Sequence, residues 1–154
     1  MRPGAPPALA LAIIAMVMLG ACQPPSTTPA GGISSPTADA EVITVEGGSY
    51  RRVQPQTLAT MLGAKDFTLV NVHIPYQGEI DPTDAFIPFD TIASSRADLP
   101  ARDQPTFLYC QTGRMSAIAA ETLVKAGYTD VWDLAGGMEA WTAAGFQLVQ
   151  RPPG

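Results

Sequence analysis

Metal ligands are scarce in this chain. Its 154 residues hold two cysteines and one histidine, too few of the donors from which zinc centres are built. No resident metal is expected. Charge is scarce too: charged side chains make up 15% of the residues, with Lys plus Arg at 9 against Asp plus Glu at 14, a net charge of −5. Without a basic excess to neutralise phosphates, the composition excludes nucleic acid as a partner, and adhesion to acidic lipid by charge alone. Gly136-Gly137 lacks the preceding glycine spacing of a nucleotide fingerprint, so no organic cofactor is expected. No segment repeats. The apolar run ALALAIIAMVMLGA (residues 8–21) is too short to span a bilayer comfortably. What remains is a chain 46% hydrophobic, enough for one ordinary domain with its own core.

That apolar run fits the central region of a secretion signal, preceded by a weak positive segment with Arg2 alone. Leu19-Gly20-Ala21-Cys22 follows and resembles a bacterial lipobox, in which small residues fit the peptidase and the cysteine thiol receives lipid. An uncleaved anchor or a plain secretory signal are the alternatives. Residues 1–21 are thus expected to be a lipoprotein signal peptide. Lipid on Cys22 would hold the protein at a membrane, on the extracytoplasmic side of a bacterial envelope. Residues 23–40, QPPSTTPAGGISSPTADA, are rich in proline and hydroxyl side chains and nearly devoid of apolar ones. With Cys22 they are expected to form a disordered tether over 22–40. Cys110 would then be the mature chain's single free thiol, in a compartment where unpaired thiols are unusual.

A folded domain is expected over 41–149, with a disordered tail at 150–154. EVITV and SYRRV flank Glu46-Gly47-Gly48 and read as a hairpin. Pro55 opens a short helix carrying Leu58, Met61 and Leu62 on one face, with Gly63 as its stop. FTLVNV (67–72), TFLYC (106–110) and VWDL (131–134) read as strands. MSAIAAETLVKA (115–126) has Met115, Ile118, Ala119, Thr122, Leu123 and Ala126 at helical spacing, with Glu121 and Lys125 as an i,i+4 pair and Gly127 as a stop. MEAWTAA (138–144) is a last helix ending at Gly145. Strands alternating with helices predict an α/β fold: a parallel central sheet with helices on both faces.

Cys110 stands where ligands collect in such folds, at the carboxyl end of a strand. Gly113 lets the following loop wrap tightly before the helix. The N–H groups of such a loop form a nest for an anion, and the helix N-terminus adds positive charge, so a thiolate there is stabilised. A buried structural cysteine on a parallel strand is the competing reading.

YCQTGRMSAIAAETLVKAGYTDVWDLAGGMEAWTAAG resembles the catalytic half of single-domain rhodaneses, whose loop reads Cys-x-x-Gly-x-x-Ser and whose later signature reads Leu-x-Gly-Gly-x-x-Ala-Trp. The Cys-x-x-Gly-Arg-x-Ser form most resembles envelope-located members of the phage-shock type. The likeness covers about residues 50–149. The amino-terminal half departs from the family: Asn71-Val72-His73 stands where Asp-Val-Arg is usual, and Gly78-Glu79-Ile80 where Gly-His-Ile is usual. The resemblance implies a rhodanese-like fold and transfer of a sulfane sulfur from a small sulfur-containing anion, thiosulfate or a persulfide donor, to a thiol acceptor or to cyanide, through a persulfide on Cys110. Cys110 would be the nucleophile, and Gln111, Thr112, Gly113, Arg114, Met115 and Ser116 the loop around its sulfur. Arg114 would steer an anionic donor, or be a solvated surface cation. Thr112 and Ser116 would donate to the sulfur, or Ser116 would cap the helix. His73 would be a strand-end structural residue or part of the rim, while Trp141 and Gly136-Gly137 would serve packing. A phosphatase on this fold needs an arginine six positions after the cysteine, where this chain has Ser116. The remaining rival is a non-enzymatic sulfur carrier or docking module.

Overall fold

The computed structural model describes Met1, Gly4, residues 39–95 and residues 97–151. The expected signal peptide apart from Met1 and Gly4, Cys22 and nearly all of the tether lie outside these residues. Strand β1 (Glu41–Val45) pairs antiparallel with β2 (Gly48–Val53). Helix α1 (Pro55–Leu62) follows, with Pro55 at its first position, where a missing N–H costs nothing. Next come β3 (Thr68–Asn71), β4 (Ala85–Phe86), β5 (Thr106–Tyr109), α2 (Arg114–Lys125), β6 (Val131–Leu134) and α3 (Gly137–Ala143). The sheet runs β1-β2-β6-β5-β3-β4, parallel at every pairing except β1 with β2.

The expected α/β fold is present, and burial explains its strands. All residues of β5 and β6 are buried, as expected of largely apolar parallel strands when helices cover both faces. On one face α2 brings Ala119, Ala120, Leu123 and Val124 against Tyr50, Val70 and Leu108. On the other, α1 and α3 bring Leu58, Met138 and Trp141 against Leu69, Phe107 and Leu134. Trp141 packs in this face of the core, as read from the sequence: the indole is 5% exposed and its N–H donates to the Gln147 carbonyl at 3.1 Å.

Three local expectations are corrected. The buried face of α2 is Ser116, Ala119, Ala120, Leu123 and Val124, and Ile118 is 43% exposed. The helix is rotated toward its small residues because they let it approach the sheet closely. Lys125 pairs with Glu46 of the β1–β2 turn at 3.0 Å, in place of Glu121. Ser116 is not a cap: the N-cap is Gly113, in the left-handed region at φ 87°, with no side-chain cap bond. The strand β4 lies in DPTDAF, a stretch with no apolar periodicity to announce it. Chain contacts also run past Val149, which exchanges two backbone hydrogen bonds with Glu79, each 2.9 Å. Arg151 N–H donates to the Tyr76 hydroxyl at 2.8 Å, and its guanidinium pairs with Asp81 and Glu79.

Candidate active site

The chain leaves β5 at Tyr109 and enters α2 at Arg114, so residues 110–113 must reverse direction within a few bonds. Gly113 accomplishes this with its positive φ, and its N–H donates to Cys110 Sγ at 3.1 Å. Ser116, one turn into α2 and 0% exposed, donates its hydroxyl to the same sulfur at 3.6 Å, with the Gly113 carbonyl as a second acceptor at 3.2 Å. Two donors thus converge on one sulfur, the Ser116 hydroxyl being shared between it and the Gly113 carbonyl.

The loop is held from outside. N–H groups at the start of α3 donate to the loop carbonyls, Met138 to Cys110 at 2.8 Å and Glu139 to Gln111 at 2.9 Å. This clamp requires bare backbone at Gly137, where a Cβ would sit 2.2 Å from the Cys110 carbonyl oxygen. The two sequence signatures are therefore halves of one local structure.

The other candidate residues separate around this loop. Met115 packs against the apolar cluster that contains Cys110, Val72 and Ile87, as does Phe89. Cys110 itself is 1% exposed. Thr112 is exposed and, with Arg114, Arg52 and Gly136, lines an outer concavity of about 390 Å³ of which Cys110 is not part. Of the two hydroxyls, the one in contact with the sulfur among the described residues is that of Ser116. Gln111 lines a smaller concavity of about 110 Å³ with Gln77, Met138 and Glu139. A roomier one, about 410 Å³, lies at the opposite ends of the strands, against Phe67, Pro105 and Asp130. Its place in the fold excludes it from chemistry at Cys110.

His73 is buried, 5% exposed, and neither ring nitrogen has a hydrogen-bond partner among the described residues. Burial pushes its pKa down, opposed in part by the Gln77 side chain, which lies outside hydrogen-bond geometry to the ring. Burial thus favours the neutral imidazole. Asn71 braces the same segment: Oδ1 accepts from His73 N–H and Nδ2 donates to the Gly78 carbonyl, both at 3.0 Å. An aspartate there would lack that second bond.

One pair at the site is absent from the sequence reading. Asp133, in the middle of β6, is 0% exposed. Its Oδ2 accepts from Arg52 Nε at 2.9 Å and meets Arg52 Nη2 at 2.8 Å, while Oδ1 has no partner among the described residues. Burial raises its pKa, and Ser116 and then Arg52 pull it back. The available signal was a lone carboxylate inside VWDL, a strand otherwise apolar.

Known proteins bear on this loop directly. The family model described as the rhodanese-like domain matches residues 54–144. The chain is 43% identical over 49 residues to the thiosulfate sulfurtransferase GlpE of Pseudoalteromonas translucida, covering 32% of this chain and 47% of that protein. The match thus spans about half the length of that relative. It is 32% identical over 88 residues to a sulfurtransferase of Allochromatium vinosum, covering 55% of this chain and 80% of that one. Among solved structures, a rhodanese-related protein of Thermoplasma volcanium superposes with a TM-score of 0.58 at 27% identity, over 66% of this chain and all (100%) of the other. The sheet order, the Cys110 loop and the family match over most of the folded region agree: this chain belongs to the rhodanese-like domain family.

Proposed function

We propose that the chain is a sulfurtransferase that carries a sulfane sulfur as a persulfide on Cys110. In the first half-reaction the Cys110 thiolate attacks the sulfane sulfur of thiosulfate or of a persulfide donor. A sulfur–sulfur bond forms to Cys110, and the donor's bond breaks with its electron pair leaving on sulfite or on a thiolate. In the second, an acceptor thiolate attacks the outer sulfur, and Cys110 departs as thiolate. Splitting the transfer replaces one difficult displacement by two easier ones. The observation that carries this reading is the convergence of Gly113 N–H and Ser116 Oγ on Cys110 Sγ, which suits every anionic sulfur species in the cycle. Lipid on Cys22 and an envelope location, with the phage-shock type of domain, belong to the same reading.

Intact-mass measurement of the protein after exposure to thiosulfate tests it. One added sulfur, lost on addition of a thiol and absent in Cys110→Ser, is expected. No adduct with thiosulfate or with a low-molecular-weight persulfide would overturn the reading. A second reading, a sulfur carrier or docking module without turnover, draws on the 1% exposure of Cys110. It predicts an adduct that forms but is not passed to small thiols.

A further inference from the structure

The outer concavity beside the Cys110 loop stands apart from the sulfur itself. It holds about 390 Å³, and Arg52, Thr112, Arg114, Ala117, Ala135 and Gly136 are among its lining residues. Two cations and no carboxylate line it, in a chain whose Asp and Glu outnumber its Lys and Arg by 14 to 9. Three other concavities among the described residues each have an acidic wall. One has Asp66 and Asp130, another Glu139, and the third Asp66 beside Lys65.

Both arginines have donors to spare. The Arg52 guanidinium turns Nε and Nη2 to Asp133 Oδ2, at 2.9 and 2.8 Å, and Nη2 donates to the Tyr50 hydroxyl at 3.0 Å. Nη1, which carries two of the five N–H groups, has no partner among the described residues. Asp133 is fully buried and outside the lining, so it holds the guanidinium without facing the concavity. The other carboxylate acting on Arg52 is Glu41 of β1, also outside the lining. Arg114 is exposed and has no ion-pair partner among the described residues. A guanidinium held in place with unused donors suits an oxyanion, and a second one on the same wall adds charge.

Size argues against thiosulfate as the sole occupant. The volume lies in the range of sites for organic molecules, and Ala117 and Ala135 give the wall an apolar portion. Gly113 lines the concavity, and its N–H meets Cys110 Sγ at 3.1 Å. The concavity and the sulfur therefore lie on either side of one residue that has no side chain to bar the way.

We propose that this concavity binds the carboxylate end of an organic thiol, the acceptor of the sulfur, with Arg52 and Arg114 taking the carboxylate. The assignment rests on the sulfurtransferase reading for its purpose, since the bound thiol would lie at Gly113, beside Cys110. Recognition of the carboxylate itself needs no chemistry at the sulfur.

The test has two arms, both on the full chain. In the first, succinate, a dicarboxylate without sulfur, is titrated and followed by heteronuclear NMR. The Gly113, Arg114 and Gly136 amides and the Arg52 Nε–H should shift and saturate, and butanediol should move none of them. Arg114→Gln should weaken succinate by about threefold or more, as should added salt with the wild type. Arg52→Lys keeps a cation beside Asp133 but loses the planar fork, and should weaken succinate likewise. In the second arm, protein loaded with persulfide is discharged by mercaptopropionate or by mercaptoethanol, compared at equal thiolate concentration. The ratio of the two rates should fall by about threefold or more from wild type to Arg114→Gln. Should Arg52→Lys fail to fold, Arg114→Gln carries both arms. Shifts that do not saturate, or an affinity untouched by Arg114→Gln, overturn the site, and an unchanged ratio of discharge rates overturns the acceptor assignment. Failure of the sulfurtransferase reading is separate: a protein that never loads a persulfide yet binds succinate through Arg52 and Arg114 keeps the carboxylate site and loses the reaction.

Discussion

A methyl group at Gly137 would lie 2.2 Å from the Cys110 carbonyl oxygen and 2.7 Å from that of Gln111, both of them backbone atoms that cannot swing away. The residue also holds φ 57°, in the left-handed region where a side chain adds its own cost. Gly137→Ala is therefore expected to destabilise the domain by about 1–3 kcal/mol. In a domain of this size each kcal/mol lowers the melting temperature by about 4–8 °C. Whatever folded protein remains should form the Cys110 adduct more slowly, because the clamp on the loop carbonyls has shifted. A thermal melt and a timed mass measurement check the two halves; a melt equal to wild type would mean that α3 moves aside freely. Residues with special backbone needs were the legible part of the site. Cys110, Gly113 and the paired glycines announce themselves by type and spacing. Asp133 and Arg52 did not, because their meeting joins β2 to β6, strands far apart in sequence, and no local pattern encodes it.

At the level of elements, α2 shows where helical periodicity misleads. The stripe through Met115, Ile118 and Thr122 is amphipathic on paper, yet the helix buries Ser116, Ala119, Ala120, Leu123 and Val124. Periodicity reports which residues share a face, and hydrophobicity then favours the bulkier one. Here close packing on the sheet and the hydroxyl needed at the sulfur select the face of small residues. Ile118→Gln should change stability by no more than about 0.5 kcal/mol, whereas Ala120→Leu should cost about 1–3 kcal/mol by overpacking against the sheet. Denaturant unfolding of the two variants decides between the faces; the reverse ranking would restore the sequence-derived stripe. The strands were easier to read. β3, β5 and β6 are short, largely apolar runs bounded by turn residues, whereas β4 has two residues and too little pattern to be seen.

Across the whole molecule, the two cysteines divide the labour proposed for the chain. Cys22 belongs to an apolar-to-polar boundary and Cys110 to a strand-to-helix turn. Cys22→Ser should release the protein from the membrane fraction while leaving persulfide formation on Cys110 intact, and Cys110→Ser should do the opposite. Fractionation followed by mass measurement reads both; co-loss of anchoring and chemistry in either variant would contradict the division. The fold as a whole was legible because alternating strands and helices admit few topologies. The antiparallel β1–β2 edge was visible as a hairpin, though its place beside β6 was not.

The burial of Cys110 has a further consequence, for survival. A lone thiol in air or in an oxidising compartment ordinarily ends as a mixed disulfide with the first exposed cysteine it meets. At 1% exposure, with its loop carbonyls tied to α3, this sulfur cannot be approached by another folded protein's surface without rearrangement of the pocket. Peroxide, sulfide and small polysulfides are compact enough to require far less. The enclosure therefore acts as a size filter against cross-linking, and leaves small-molecule oxidation as the principal hazard to the thiol.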